Sequence, residues 1–236
     1  MLEKLGYIRI YKLPFLKPFW NGEELGAILN CLFKNNIVDG PDIARFEKNI
    51  EKKINVDFAF ATNSGRSAIQ MVLESIERKQ RNEVLVPSFC CTGVIQPIIQ
   101  AGFKPMFVDI EEDLNLSPSY LEDSISEKTA AVIVPSLCGK PAQWKEIKKI
   151  VRGRDIFLID DAAQAMGARY LGRYLGTFGD AGIVSFTLGK ILSATGGGIL
   201  LTNSQDLKMS IKKMNLAKES YFDVTKRVLE TLASGV

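Results

Sequence analysis

Histidine is missing from all 236 residues of the chain. That one absence removes Ser–His and Cys–His nucleophile pairs and most catalytic zinc sites. Acid–base chemistry near neutral pH is left to Lys, Asp, Glu, Tyr or Cys, or to a bound cofactor. Cysteine is sparse, and Cys31, Cys90, Cys91 and Cys138 form no C-x-x-C pair. Neither a zinc ribbon nor a redox dithiol is supported, so reduced thiols and no metal centre are expected. No apolar run approaches the roughly 18 residues of a membrane span, and the N-terminus has no signal-peptide core, so a cytoplasmic protein is expected. The net charge is only +3, with no basic stripe carrying interleaved aromatics, so no nucleic-acid surface is read. Lys145–Lys149 and Lys208–Lys213 read as solvated helix faces.

What is present is an apolar content of 46%, enough for one sizeable core. Helical spacing is expected over about Asn21–Phe33 and Pro41–Lys53, the latter with Ile43, Phe46 and Ile50 on one face. Phe58–Thr62 reads as a strand and Asn63–Ser67 as the turn after it. Ala68, Ile69, Val72, Leu73 and Ile76 then mark a helix. Strands follow at Val84–Pro87, Pro105–Asp109, Thr129–Pro135, Ile156–Asp160, Gly182–Phe186 and Gly198–Thr202, with helices between the earlier ones. The strand runs are continuously apolar and not alternating. That fits an α/β fold with a mainly parallel central sheet flanked by helices and buried on both faces.

Four places carry possible chemistry, each with an ordinary alternative. Ser64-Gly65-Arg66-Ser67 opens a helix after a strand, which makes either an anion cradle or a plain N-cap. Asp160-Asp161-Ala-Ala-Gln164 stands at a strand's carboxyl end, where open α/β sheets bind ligands, or simply opens a helix with acids on its dipole. Adjacent acids in a strand point to opposite sides, so only one can serve a given site. Lys190 is the lone lysine between two apolar runs, followed by Gly196-Gly197-Gly198. Desolvation there would make it a nucleophilic amine; the alternative is snorkelling into water. A P-loop is excluded by Val184 and Ile191, and the glycines miss the G-x-G-x-x-G spacing. An anion cradle, a carboxylate at Asp161, a hydroxyl at Ser185 and an amine at Lys190 together match what pyridoxal phosphate requires.

The ordered set Asp39-Gly40, Asn63-Ser-Gly65, Val86-Pro-Ser88, Pro105–Asp109, Ile159–Gln164, Ser185-Phe186, Lys190 and Gly197-Gly198 resembles the DegT/DnrJ-type sugar aminotransferases. These are pyridoxal 5'-phosphate enzymes of the aspartate-aminotransferase fold. The resemblance covers roughly Asn35 to Asn203. It implies Lys190 as the Schiff-base lysine and proton shuttle and Asp161 at the pyridine nitrogen, the two catalytic residues. It implies Gln164 at the ring hydroxyl, and Ser185 with Ser64, Gly65 and Arg66 at the phosphate. It implies transfer of an amino group, usually from glutamate, to a nucleotide-linked keto-sugar, as in polysaccharide biosynthesis, by a homodimer without nucleic-acid or membrane partners. Sugar-dehydrating members carry histidine where Lys190 stands.

Departures accompany the match. Arg66 replaces a common Thr, Ser136 a common His, and Gly196 a common acid. Cys91 stands where an aromatic usually covers the ring, so either Phe89 substitutes or sulfur packs that face. Family members continue into a smaller domain, which gives the expected division: an N-terminal segment 1–35, a cofactor-binding large domain 36–205, and a helical segment 206–236 with the small domain absent or truncated. The alternative function is a cofactor-binding remnant that acts as a non-catalytic interaction or regulatory module.

Overall fold

Seven strands make one sheet, in the spatial order Phe58–Thr62, Gly198–Thr202, Ala181–Ser185, Phe157–Asp161, Thr129–Pro135, Glu83–Pro87 and Lys104–Val108. The structure is a computed structural model that describes residues 22–34, 38, 40–77, 80–214, 216 and 219–233. Most of the expected N-terminal segment, residues 35–37 of the turn before Pro41, and Asp39 of the family match lie outside the described residues. In chain order the strands are β1 (Phe58–Thr62), β2 (Glu83–Pro87), β3 (Lys104–Val108), β4 (Thr129–Pro135), β5 (Phe157–Asp161), the short β6 (Arg169–Tyr170) and β7 (Arg173–Tyr174), β8 (Ala181–Ser185) and β9 (Gly198–Thr202). The helices are α1 (Gly22–Phe33), α2 (Pro41–Ile54), α3 (Gly65–Ser75), α4 (Thr92–Gln100), α5 (Pro118–Ser124), α6 (Trp144–Val151), α7 (Gln205–Lys213) and α8 (Tyr221–Ala233). Neighbouring pairs from β8 to β3 are parallel, and β9 runs antiparallel to both β8 and β1.

Continuous apolar strands follow from burial on both faces. Every residue of β4 is buried. Val132 and Val134 pack toward Trp144 and Ile147 of α6 and the α2 stripe, while Ala131 and Ile133 pack toward Ile69 of α3 and Ile98 of α4. Each such fully buried Val or Ile contributes about 1.5–3 kcal/mol relative to leaving it in water. Among the described residues no helix is long and apolar enough to cross a membrane.

The outer edge of β1 is covered by a device absent from the sequence reading. Glu47 Oε1 accepts the Ala61 N–H at 2.8 Å and Glu51 Oε1 the Ala59 N–H at 3.3 Å. The two acids are one helical turn apart on α2, matching the two-residue step between outward N–H groups of a strand. They occupy donors that an edge strand would otherwise present to another chain. Half-burial pushes the Glu47 carboxyl above its ordinary value, partly offset by the Ala61 N–H.

Several boundaries shift from the expectation. The turn expected at Asn63–Ser67 is in part the first turn of α3, which begins at Gly65 with Ser64 as N-cap. The strand expected over Ile156–Asp160 runs one residue later and includes Asp161. The β6–β7 hairpin was not anticipated. Its return is fastened by Asp160, whose Oδ2 accepts N–H bonds from Gly176 at 2.7 Å and Phe178 at 3.0 Å.

Candidate active site

The parallel strands end on one side of the sheet, where the ends of β4, β5 and β8 and the turns after β1 and β2 line a cavity of about 310 Å³. Its wall contains Ser64, Gly65, Arg66, Cys91, Asp161, Gln164, Ser185 and Lys190, every site residue expected from the sequence. They arrive from four different connections: β1 to α3, β2 to α4, the end of β5, and the loop from β8 to β9.

The anion side is built at the start of α3. Ser64 is extended, and its Oγ accepts the Ser67 N–H at 3.2 Å. That bond satisfies one donor of the first turn. The N–H groups of Gly65 and Arg66 have no acceptor within the helix, as in the first turn of any helix. The exposed Arg66 guanidinium adds formal charge beside them. Space is made by glycine: a Cβ on Gly198 would lie 2.5 Å from Gly65 N and 2.6 Å from the Ser64 carbonyl carbon. Gly197 has φ +107, donates its N–H to Asn63 O at 3.0 Å and accepts the Phe186 N–H at 2.9 Å. Backbone thus packs on backbone where β9 enters beside α3. Ser185 is buried, and its Oγ lies 3.1 Å from Thr187 Oγ1, a second cavity hydroxyl absent from the sequence reading.

The acid side is the end of β5. Asp161 is only 6% exposed and lines the cavity, while Asp160 turns to the opposite face. Asp161 Oδ1 accepts the Ala163 N–H at 3.0 Å. Burial pushes its carboxyl above the ordinary value; the Ala163 N–H and then the Lys190 charge pull it back in part. Gln164 Oε1 accepts the Cys138 N–H at 3.3 Å, which leaves its amide NH₂ free to donate. A mainly desolvated carboxylate that needs a cation, an anion cradle, a donor amide and an amine converge on one cavity. That set fits pyridoxal phosphate.

For Lys190 the two alternatives were a desolvated amine and a side chain snorkelling into water; it sits on the β8–β9 loop and is half-buried, between the two. Its loop is pinned at the base by the Ala194 N–H to Phe186 O at 2.7 Å, and near the lysine by Ser193 Oγ–H to Lys190 O at 2.7 Å. The loop's open side, with Ile191 66% exposed, lets water reach the lysine. Of the two alternatives for the ring face, Cys91 lines the cavity, whereas Phe89 is 53% exposed and lies outside its wall.

A family model described as the DegT/DnrJ/EryC1/StrS aminotransferase family matches residues 20–229. GDP-perosamine synthase of Escherichia coli O157:H7 is 31% identical over 197 residues, covering 83% of this chain and 54% of that protein. The spore coat polysaccharide biosynthesis protein SpsC of Bacillus subtilis is 29% identical over 209 residues, covering 88% and 54%. A GDP-4-keto-6-deoxymannose-3-dehydratase, solved with a trapped PLP-glutamate geminal diamine, superposes with a TM-score of 0.78 at 27% identity, covering 84% of this chain and 53% of that one. The chain therefore spans about half the length of the curated relatives it matches.

Proposed function

Because the chain belongs to the DegT/DnrJ/EryC1/StrS aminotransferase family, we propose that it is the cofactor-binding part of a pyridoxal-phosphate aminotransferase. The enzyme would move an amino group from glutamate to a nucleotide-linked keto-sugar. The observation that carries this is the convergence of Lys190, Asp161 and the α3 N-terminus on one cavity. The nucleotide-sugar substrate is supported by relatives such as GDP-perosamine synthase, and glutamate by the ligand of the solved dehydratase. When bound, pyridoxal phosphate supplies an electron sink for the carbon that gains or loses the amino group.

The chain's own residues have separable tasks. The Gly65 and Arg66 N–H groups, the Arg66 guanidinium and the Ser185 and Thr187 hydroxyls hold the phosphate. Asp161 keeps a positive charge on the ring nitrogen, and that charge in turn stabilises a carboxylate burial disfavours. Gln164 donates from its amide to the ring hydroxyl, and Cys91 packs the ring face. Lys190 would hold the cofactor through its amine, and its Nζ would be the atom that takes up and returns the proton during amino-group transfer. Residues 36–205 form the cofactor-binding unit, and two copies pair through the cavity-side surface, where Phe89, Ile191 and Leu192 are exposed.

The test is borohydride treatment of the protein with pyridoxal phosphate, followed by peptide mass spectrometry. The cofactor mass should be found on Lys190 and be lost in Lys190→Ala. With glutamate, the loaded protein should release 2-oxoglutarate up to the amount of cofactor bound, and light scattering should report a dimer. Cofactor mass on another lysine would overturn the assignment. A loaded protein that leaves glutamate untouched would favour the non-catalytic module.

A further inference from the structure

Asn115 belongs to the loop after β3 and does not line the cavity, yet it is 1% exposed and each of its polar atoms has a partner. Its Nδ2 donates to Asp113 Oδ2 at 3.3 Å, and its N–H to Asp113 Oδ1 at 3.0 Å. Its carbonyl accepts the Glu111 N–H at 2.9 Å. Lys140 Nζ pairs with the same Asp113 Oδ2 at 3.2 Å. Burial raises the Asp113 carboxyl, but the Asn115 and Lys140 donors outweigh it and hold the group below its ordinary value. Anchored in this way, Asn115 offers Oδ1 to the end of β4, where it accepts the Leu137 N–H at 3.4 Å.

The turn after β4 spends three successive N–H groups on three separate elements. Ser136 donates to Asp161 O at 3.0 Å, Leu137 to Asn115, and Cys138 to Gln164 Oε1 at 3.3 Å. The backbone is left-handed at Cys138, with φ 50 and ψ 29. Such a conformation is costly for a residue with a side chain and persists where its neighbours hold it. Asn115 holds the residue just before it. Cys138 Sγ also lies 3.9 Å from Gln164 Oε1, so both donors fall on one end of that amide. Turned over, the amide would set its NH₂ against the Cys138 N–H, donor against donor. Gln164 lines the cavity, and the end left for a ligand is the NH₂.

We infer that Asn115 is a positioning residue: by fixing the turn over 136–138, it holds the Gln164 amide with its NH₂ toward the bound cofactor. The inference rests on the cofactor reading above, in which that NH₂ donates to the ring hydroxyl oxygen. Without Asn115 the Leu137 N–H loses its acceptor and the left-handed turn is free to relax. The amide then loses the donor that sets its orientation.

The experiment is a double-mutant cycle on the full chain loaded with pyridoxal phosphate, using Asn115→Ala, Gln164→Ala and both together. Fluorescence titration reads the cofactor dissociation constant, and visible absorbance reads the pH midpoint of the bound cofactor. A donor on the ring oxygen favours its ionised form, so losing that donor moves the midpoint upward. Gln164→Ala should weaken binding about three- to tenfold, the worth of one net hydrogen bond, and raise the midpoint. Asn115→Ala should move both quantities the same way by a smaller amount, and should add nothing to Gln164→Ala in the double variant. Asp113→Asn, run alongside, loosens Asn115 without emptying a buried site and should show the same coupling even if Asn115→Ala folds poorly. Losses that multiply in the double variants, or single variants at 113 and 115 that lower only the melting temperature, overturn the inference and leave the cofactor reading in place. An unmoved midpoint in Gln164→Ala does the same. A wild type that binds no pyridoxal phosphate overturns both.

Discussion

Replacing Asp160 with Asn should change how stability depends on pH, without removing a contact. Asp160 is 0% exposed and faces away from the cavity, with Oδ2 bound to the Gly176 and Phe178 N–H groups and Oδ1 unpartnered. Burial raises its carboxyl from 3.8 to about 7; the two N–H groups lower it, Asp161 raises it, and Lys148 lowers it. Below pH 3.8 the group is protonated in the folded and unfolded chain alike. Between there and about 7 the unfolded chain releases the proton and the folded chain keeps it, so stability falls as pH rises. Above that range the penalty is complete, about 4 kcal/mol at 1.36 kcal/mol per tenfold step. Asparagine keeps an oxygen for both N–H groups and never ionises. Asp160→Asn should therefore gain on wild type by about 3 kcal/mol between about pH 5 and about pH 8. Urea unfolding of the two ligand-free proteins across that range measures the difference, and other titrating groups cancel in the comparison. Two stability curves that run parallel would refute the account of Asp160 as a buried, titrating anchor.

At the neighbouring acid the effect should be on the ligand. Asp161→Asn should lower the pKa of the bound ring nitrogen by roughly 1–3, read by NMR with ¹⁵N-labelled pyridoxal phosphate; an unchanged titration would take that role from Asp161. Gly198→Ala should cost about 1–3 kcal/mol or more, because the new Cβ would meet backbone of Ser64 and Gly65 at 2.6 and 2.5 Å. Chemical unfolding measures that loss, and a variant as stable as wild type would show that α3 and β9 can separate without cost.

How far the sequence carries can be judged at particular residues. The parity of Asp160 and Asp161 was legible because a strand alternates its side chains whatever surrounds it. The parallel sheet was legible for the same local reason, since strands covered on both faces are apolar throughout. The start of α3 was legible only in part: a helix opening within Ser64–Ser67 was read, but Gly65 is a poor helix former, so only the Ser64 cap marks the first residue. The β6–β7 hairpin has two residues per strand, too few for any period to register. The degree of exposure of Lys190 stayed open between two alternatives, since burial of a loop depends on how it closes and not on the strands beside it. Thr187 carries no local signal; only the cavity shows that its hydroxyl belongs with Ser185.

The lysine and the glycines that follow it turn out to be one physical feature. The connection from Ser185 to Gly198 holds no helix, so it lacks the usual crossover that would bring the chain back to start a parallel strand. β9 must then return antiparallel beside β8, as it does. A loop between antiparallel neighbours stays on the edge where the first strand ends. For β8 that is the edge where β1, β2, β4 and β5 also end, the ligand side of an α/β sheet. Lys190 therefore reaches the cavity by topology, before any energetic argument about its charge. The same reversal forces β9 to begin beside the Ser64–Gly65 turn, since β9 also pairs with β1 from Thr62↔Gly198 onward. Only a residue without a side chain fits at that entry, and the one before it needs positive φ to hold Asn63 O and the Phe186 N–H together. Gly197 and Gly198 thus let a single loop bring the amine to the cavity while β9 docks against the anion cradle.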